Sequence, residues 1–268
     1  MSTTTARQFA IITGGSSGIG LELAKQFLHN GFDVLIAADA RVEEATEELR
    51  EIAGEDRVDS VSVDLSTFDG VKQLYEDVTK RNRKIDVLAA NAGVGVGGSF
   101  FDQEREAWLK VVQTNIIGTL DLIHLVGRDL RAGRQGRILI TSSIASQIPG
   151  SFNAVYNATK AFLQSFSFAI RNELKDTDVT VTALLPGATE THFFERAGME
   201  DTKIGQEDKD DPAEVAKVGF KALMDGEGDV VFGIKNKIRR VAADFTSDDS
   251  LAETHRRMSE PGTAPKAS

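Results

Sequence analysis

The sequence predicts an α/β fold in which about seven parallel strands form a doubly wound sheet with helices on both faces, a three-layer α/β/α arrangement. Short β-rich runs alternate with helix-patterned segments along the chain, which is the pattern of a parallel sheet. A glycine-rich turn joins the first strand to the first helix at 14–20. The length of 268 residues suits one large domain. We expect a single domain over 1–260 and a disordered tail over 261–268.

The first half of the chain alternates strands and helices without a break. Gly31 should end the first helix as a C-terminal cap. Ser66 and Asp69 are spaced like a capping box at the start of the third helix. The expected elements are strands at 9–12, 33–38, 58–63 and 85–90, and helices at 21–30, 42–53 and 66–82.

The second half continues the alternation, with one irregular segment. Asp211, Pro212 and Glu214 form a strong helix start of cap, proline and acid. Residues 188–210 lose periodicity, and we expect a mobile lid there. The other expected elements are a long helix at 102–131, a helix carrying Tyr156, strands at 137–141, 179–185 and 230–233, and an amphipathic charged segment at 235–259.

The composition excludes several function classes. The net charge of −10 argues against nucleic acid or an anionic membrane as the main partner. The absence of cysteine excludes disulfides, thiol catalysis and cysteine-zinc sites. Residues 1–7 lack the apolar core of a signal peptide, and no run in the sequence approaches eighteen apolar residues. We expect a soluble, cytoplasmic protein without a membrane segment.

The glycine turn is placed where phosphate binding requires it. Its spacing is Gly14-x3-Gly18-x-Gly20. A strand precedes it and a helix follows, so free N–H groups and the positive end of the helix dipole would face a phosphate. Glycines let the backbone approach closely. A tight turn without a ligand is the alternative, and the position favours a nucleotide cofactor.

The same turn also matches the G-x-S-x-G nucleophile elbow of α/β-hydrolases, with Ser16 as the nucleophile. Thirteen residues precede Gly14, which leaves no room for the strands that such a fold places first. Moreover, His192 and His255 are the only late histidines that could act as its base, and His255 lies in the charged C-terminal segment. We interpret the match as accidental.

Tyr156 and Lys160 stand four residues apart in a helical pattern. Side chains at i and i+4 share one helix face. A nearby cation favours the phenolate and lowers the pKa of a tyrosine, ordinarily about 10. The pair therefore indicates a proton donor and acceptor. A surface pair is the alternative.

Together, these residues resemble the short-chain dehydrogenase/reductase family, in its short single-domain subclass. The resemblance spans 13–191 and includes five motifs in the family's order. They are the glycine turn 13–20, the acid Asp64, the Asn91-Ala92-Gly93 motif, the tetrad Asn115, Ser143, Tyr156 and Lys160, and the segment 186–191.

The resemblance implies a Rossmann-like fold and hydride transfer between NAD or NADP and a ketone or secondary alcohol. It implies that Thr191 and its neighbours hold the nicotinamide carboxamide. The implied cofactor-binding residues are Gly14, Ser16, Ser17, Gly18, Ile19, Gly20, Asp39, Asp64, Leu65, Asn91, Ala92, Gly93, Tyr156, Lys160, Pro186, Gly187, Thr189 and Thr191.

The tetrad roles follow from that resemblance and from the chemistry of the side chains. Tyr156 would be the general acid and base, and Lys160 would lower its pKa and bind the nicotinamide ribose. Ser143 would polarise the carbonyl. Ser142, the alternative, would only bond to backbone. Asn115 would hold a water that links Lys160 to solvent, unless it is merely an amide at a helix kink.

The residues after the second strand favour NAD, with NADP as the alternative. An acid there bonds the ribose 2′-hydroxyl of NAD, whereas an arginine accommodates the 2′-phosphate of NADP. The position usual for the acid is Ala38, and Asp39 follows it. Asp39 should repel a phosphate, although Arg41 could still reach one.

The expected substrate pocket is apolar and is formed by Ser143, Ile144, Ala145, Phe152 and Phe193. A neutral ketone or secondary alcohol fits it best, because only Arg196 is near. Ordinary lid packing would also explain the phenylalanines. The spacing of His, Asp and Glu suggests no metal site.

The resemblance implies a homodimer or homotetramer, although the long C-terminal segment puts a contact along strand seven in doubt. Two other functions stay open: a 3-oxoacyl-carrier reductase of the same fold, and a redox sensor that binds the nucleotide without turnover.

Overall fold

The computed structural model describes residues 7–264 and contains a seven-stranded sheet. Its strands pair in parallel in the order β3-β2-β1-β4-β5-β6-β7. The predicted fold class is confirmed. The strands are β1 Phe9–Thr13, β2 Asp33–Ala38, β3 Val58–Ser62, β4 Val87–Ala90, β5 Gln135–Thr141, β6 Asp178–Leu185 and β7 Asp229–Val231.

Helices connect the strands and continue beyond the last one. The first nine helices are α1 Gly18–His29, α2 Val42–Ala53, α3 Phe68–Lys80, α4 Arg105–Val112, α5 Thr119–Ala132, α6 Ala154–Glu173, α7 Phe193–Arg196, α8 Lys203–Gln206 and α9 Pro212–Asp225. After β7 the chain forms α10 Ile234–Ala243 and α11 Asp248–Ser259.

Two apolar layers enclose the sheet. Residues of α3, α5 and α6 pack on one face, and residues of α1, α2 and α9 pack on the other. The strands β1 and β2 are buried along their whole length, which explains why they are continuous apolar runs. Since β1 lies between β2 and β4, the strand order reverses there, and ligands of such sheets bind at the carboxyl ends beside the reversal.

The structure corrects one helix start and confirms another. Thr67, not Ser66, caps α3, because its hydroxyl accepts a hydrogen bond from the Gly70 N–H at 3.0 Å. The Ser66 N–H instead donates to the Asp64 carboxylate at 2.9 Å, a local turn that competes with the expected capping box. Asp211 caps α9 as predicted, accepting from the Ala213 N–H at 2.8 Å.

The long helix predicted over 102–131 contains a π-helical turn at Gln113–Gly118 between α4 and α5. Such turns are frequent at functional sites. By length and composition the stretch Arg105–Ala132 could cross a membrane, with a mean hydropathy of 1.2, and 44% of its most apolar window is buried in the fold. Core helices of soluble proteins share these properties, and α5 packs on β4 and β5.

The segments predicted as a lid and as a tail are both folded in part. The short helices α7 and α8 lie within 188–210, and Thr189 bridges to Asp210. Residues 261–264 are hydrogen-bonded, because the N–H groups of Gly262 and Ala264 donate to Asp201 at 3.0 and 2.9 Å. The disorder predicted for 261–268 is therefore wrong for these four residues, and 265–268 lie outside the described residues.

Candidate active site

A cavity of about 420 Å³ opens at the carboxyl ends of the strands. It brings together most of the residues that the sequence singled out. Those on its wall are Gly14, Ser16, Ser17, Gly18, Ile19, Asp39, Asp64, Leu65, Asn91, Ala92, Gly93, Ser143, Ile144, Ala145, Tyr156, Lys160, Pro186, Gly187, Thr189, Thr191 and Phe193. Gly20, Asn115 and Phe152 are not on the wall, and each lies elsewhere for a physical reason.

The glycine turn is shaped by contacts that exclude a side chain. Gly14 and Gly18 have positive φ angles of 63° and 53°. A Cβ on Gly18 would lie 2.6 Å from Thr191 Cγ2, and one on Gly20 would lie 2.1 Å from the Gly14 carbonyl oxygen. Gly20 therefore allows α1 to pack directly against the backbone of the loop. The loop and the helix N-terminus form a cradle that fits a cofactor phosphate.

A hydrogen-bond network ties together the ends of β1, β4 and β5. The Asn91 N–H donates to the Thr13 hydroxyl at 3.0 Å, and the Thr141 hydroxyl donates to Asn91 Oδ1 at 3.0 Å. The network positions Gly93, where a Cβ would lie 3.1 Å from Lys160 Nζ. The three strand ends are thereby held in one rigid wall beside α6.

Lys160 is buried in this wall, with 3% of the residue exposed. Its Nζ donates to the Thr141 carbonyl at 2.8 Å, and its own carbonyl accepts from the Ser142 hydroxyl at 2.8 Å. Ser142 thus bonds to backbone, as expected for that alternative. Burial lowers the pKa of Lys160 from 10.5 to about 8, because the charged form loses its hydration.

Tyr156 lies beside Ser143 and Phe193. The pKa of Tyr156 is raised to about 12, because the raising effect of burial outweighs the lowering effect of the neighbouring Ser143 hydroxyl. Lys160 Nζ lies 5.6 Å from the Tyr156 ring centroid, with its hydrogen bond directed to the Thr141 carbonyl. The expected lowering of the Tyr156 pKa by Lys160 is therefore not found in this structure. The Phe193 ring packs against the Tyr156 ring at 4.9 Å between centroids.

Asn115 is fully buried behind the wall, in the π-helical turn. Its Oδ1 accepts from the Val94 N–H at 2.9 Å, and its Nδ2 donates to the Val94 carbonyl and to the Thr159 hydroxyl at 2.9 and 3.0 Å. The amide therefore ties the loop after β4 to α6. This arrangement matches the alternative of an amide at a helix kink, and the water-holding role stays a prediction.

Phe152 does not line the cavity, so its prediction as a substrate contact is not supported. Its backbone has a positive φ of 62°, and its ring lies 5.3 Å from the Arg256 guanidinium carbon. The left-handed backbone turns the ring towards α11. Sequence spacing could not show this orientation, because it depends on a helix that follows about a hundred residues later.

The family is decided by comparison with known proteins. A model of the short chain dehydrogenase family matches residues 8–201. The chain belongs to the short-chain dehydrogenase family. It is an NAD(P)-dependent oxidoreductase that transfers hydride between nicotinamide and a CH–OH or C=O group, as the sequence predicted.

Two relatives illustrate the range of activities in the short-chain dehydrogenase family. A 3-oxoacyl-[acyl-carrier-protein] reductase from Chlamydia pneumoniae is 32% identical over 71% of this chain and 77% of its own length. A serine 3-dehydrogenase from Rhizobium radiobacter is 33% identical over 68% and 72%. A short-chain dehydrogenase from Sphingobium yanoikuyae, solved with NADPH, has a TM-score of 0.79 and 25% identity, and the match covers 89% of this chain and 92% of that one.

The part beyond the short-chain dehydrogenase match supplies a wall that the sequence analysis missed. Cavity-lining residues on and between α10 and α11 are Arg239, Ala242, Ala243, Thr246, Leu251, Thr254, His255 and Met258. His255 Nδ1 lies 2.8 Å from the Ser151 carbonyl, so Nδ1 carries the proton and α11 is tied to the loop before α6. The only signal in the sequence was the amphipathic pattern of 235–259.

Arg196 was expected near the substrate, and the structure places it on the glycine turn. Its Nη2 donates to the Ser17 hydroxyl at 3.1 Å, and both residues line the cavity. Ser17 is the N-cap residue of α1, but its hydroxyl accepts no hydrogen bond from the N–H groups of the first helical turn. A guanidinium at this helix N-terminus adds a positive charge where a short-chain dehydrogenase would hold the cofactor phosphates.

We expect Arg196→Ala to raise the dissociation constant for NADH by about threefold to tenfold, the size of one exposed charge-assisted hydrogen bond. NADH fluorescence titration at 50 mM and 1 M NaCl measures it, and the effect should shrink at high salt. Arg128→Ala, on the exposed side of α5, is the matched control. Equal affinities of Arg196→Ala and wild type at low salt would contradict the assignment.

Proposed function

We propose that this enzyme reduces a neutral ketone, or oxidises the corresponding secondary alcohol, with Tyr156 moving the proton at the substrate oxygen. The observation that carries the proposal is that Tyr156, Ser143 and the glycine turn line one cavity. The bound nicotinamide supplies or accepts the hydride. Ser143 donates to the substrate oxygen and orients it, and Tyr156 donates the proton that the alkoxide needs.

The raised pKa of Tyr156 supports different pH dependences for reduction and oxidation. A phenol whose pKa is raised to about 12 keeps its proton, so the acid form that reduction requires is fully populated. Alcohol oxidation requires the opposite form. We therefore propose that oxidation accelerates as pH rises, whereas reduction changes little.

The charges around the cavity support a neutral substrate. Ile148, Phe193, Phe194 and Met199 line it, and such a surface favours an apolar body. Arg239 also lines it, but its Nη2 lies 3.9 Å from the Glu207 carboxylate, which offsets its charge. A substrate carboxylate or phosphate would therefore lack a strong partner on this side.

We propose NAD as the preferred cofactor. Asp39 lines the cavity at the end of β2. Arg41 is outside the cavity wall and its Nε donates to the Glu44 carboxylate at 3.1 Å. Lys110 Nζ lies 3.9 Å from the Asp39 carboxylate and offsets part of the repulsion that a 2′-phosphate would meet.

Asp39→Ser should raise the ratio of kcat/KM with NADPH to that with NADH by on the order of tenfold, because a carboxylate facing the phosphate is removed. Initial rates with both cofactors measure it. Asp102→Ser, away from the cavity wall, is the control. A ratio that stays constant would argue against Asp39 as the selective residue.

We also propose a cytoplasmic homodimer or homotetramer that needs no metal and binds neither nucleic acid nor membrane. The net charge of −10 argues against nucleic acid and an anionic membrane as partners. Among residues 7–264, no three His, Asp or Glu side chains cluster as metal ligands. A second candidate substrate is a 3-oxoacyl thioester, favoured by the similarity to the reductase from Chlamydia pneumoniae.

The deciding experiment follows the absorbance of NADH and NADPH with a panel of ketones, secondary alcohols and a 3-oxoacyl pantetheine thioester. Turnover of a neutral ketone supports the proposal, and a strong preference for the thioester supports the second candidate. If none is turned over although NADH or NADPH binds, a nucleotide-binding sensor becomes the better explanation.

A further inference from the structure

The helix α10 turns an apolar face away from the protein. The exposed fractions are 78% for Ile234, 64% for Ile238, 59% for Val241 and 88% for Phe245. The spacing of four and three residues places Ile234, Ile238 and Val241 along one face of α10, and Phe245 follows in the turn after the helix end. We refer to these four residues as the apolar stripe. Exposed patches of large apolar side chains that are rimmed by charged residues typically mark an interaction site.

The opposite face of α10 fixes this orientation. Asn236 is buried, and its Nδ2 donates to the Phe232 carbonyl at 2.9 Å. Arg240 pairs with Asp229 on β7. Rotating the stripe inward would break both contacts and would bury Lys237 or Lys235. The helix is therefore anchored by polar contacts while its apolar residues face outward.

The charges around the stripe are divided between its two ends. Lys235 and Lys237 lie in the first half of α10, whereas Asp244, Asp248 and Asp249 follow its end. The side chains of all five are on exposed residues. Arg239 and Arg240, in the second half of the helix, lie beside the carboxylates of Glu207 and Asp229, which offset their charge. An antiparallel partner helix of the same sequence would place its acidic end beside the basic end, and the two helix dipoles would be opposed.

We propose that a second copy of this chain covers the apolar stripe, with the two α10 helices antiparallel about a twofold axis. Ile238 and Val241 lie at the centre of this contact, and Ile234 of each copy packs near Phe245 of the other. An anionic lipid surface fits less well, because Asp244, Asp248 and Asp249 flank the stripe and the chain carries a net charge of −10.

The contact would also support the active site. Arg239, Ala242 and Ala243 of the same helix line the cavity. Packing a second helix on the outer side of α10 would hold this wall in place. The inference rests on the homo-oligomer proposed above and not on the proposed reaction, so the two can fail separately.

The test is the mass of the full-length protein, measured by light scattering and sedimentation equilibrium over a range of concentrations. Ile238→Asp should raise the dissociation constant of one association step by on the order of a hundredfold, since a charge is buried in both copies at the centre of the interface. Phe68→Asp, at an exposed apolar residue on α3, is the matched control. Thermal unfolding of each variant distinguishes lost association from lost folding.

Charge reversal makes the test specific. Lys237→Glu and Asp244→Lys should each weaken association, and an equimolar mixture of the two variants should regain it as a mixed dimer. An oligomer whose mass Ile238→Asp does not change would overturn the proposed interface and leave the oligomer intact. A wild-type protein that is monomeric would overturn both the interface and the oligomer. If that monomer binds vesicles and Ile238→Asp abolishes the binding, the apolar stripe binds lipid instead.

Discussion

Tyr156→Phe should lower kcat for ketone reduction by roughly 10²- to 10⁴-fold, the usual contribution of a positioned general acid. The substitution removes only the hydroxyl. The ring that packs against Phe193 at 4.9 Å is kept, so we expect little change in stability. NADH affinity should change by less than about threefold, because the glycine turn and the Asn91 network are untouched.

Stopped-flow or steady-state absorbance gives kcat, and NADH fluorescence gives the affinity. The second of the two tyrosines of the chain provides a matched control. Tyr75 donates its hydroxyl to Asp129 at 3.0 Å on the outside of the fold, and Tyr75→Phe should keep full activity. Full activity of Tyr156→Phe, together with tight NADH binding, would rule out the proton-transfer role.

The sheet and most of the site could be predicted because both depend on local patterns. Strand and helix periodicities specify the layers, and the motif residues stand at the ends of strands. In a parallel sheet those ends meet at one edge, so Gly14, Asn91 and Ser143 had to converge once the strand order was right. The family's usual distance to Tyr156 favoured Ser143 over Ser142, whose hydroxyl donates to the Lys160 carbonyl in the structure.

The features that could not be predicted depend on contacts between distant segments. The side-chain amide of Asn115 is hydrogen-bonded to the Val94 backbone, and the ring of Phe152 lies against Arg256. The sequence offered a residue type in each case but not its orientation. Similarly, i,i+4 spacing predicted that Lys160 would lower the Tyr156 pKa, whereas burial raises the pKa of Tyr156 and lowers that of Lys160.

The helices α10 and α11, which follow β7, show the same limit of prediction from sequence. An amphipathic segment is expected to bury its apolar face, yet α10 presents Ile238 and Val241 to the outside and lines the cavity through Arg239. The direction of a helix face depends on its anchors, here Asn236 and Arg240. Periodicity predicts that a face exists, and only the tertiary contacts decide where it points.

Lys160→Met should change the pH dependence of stability in a direction that follows from burial. The pKa of Lys160 is lowered from 10.5 to about 8 in the folded protein. Between these two values the unfolded chain binds more protons than the folded chain, so the wild type gains stability relative to the variant as pH rises. The full cost of the buried charge is present below pH 8, and it disappears above pH 10.5. The difference amounts to about 3 kcal/mol.

Urea unfolding of wild type and Lys160→Met at pH 7 and pH 10 measures this change. Lys80→Met, at an exposed lysine on α3, should show an offset that is the same at both values. A wild type that loses stability relative to Lys160→Met on going from pH 7 to pH 10 would contradict the burial argument.

The same variant should lose at least about 100-fold in kcat/KM, because the family resemblance implies that Lys160 binds the nicotinamide ribose, and its Nζ lies 5.6 Å from the Tyr156 ring centroid. A residue that destabilises the fold at neutral pH and yet is required for turnover is retained for chemistry. If Lys160→Met were both more stable and fully active, the lysine would have no role in the reaction.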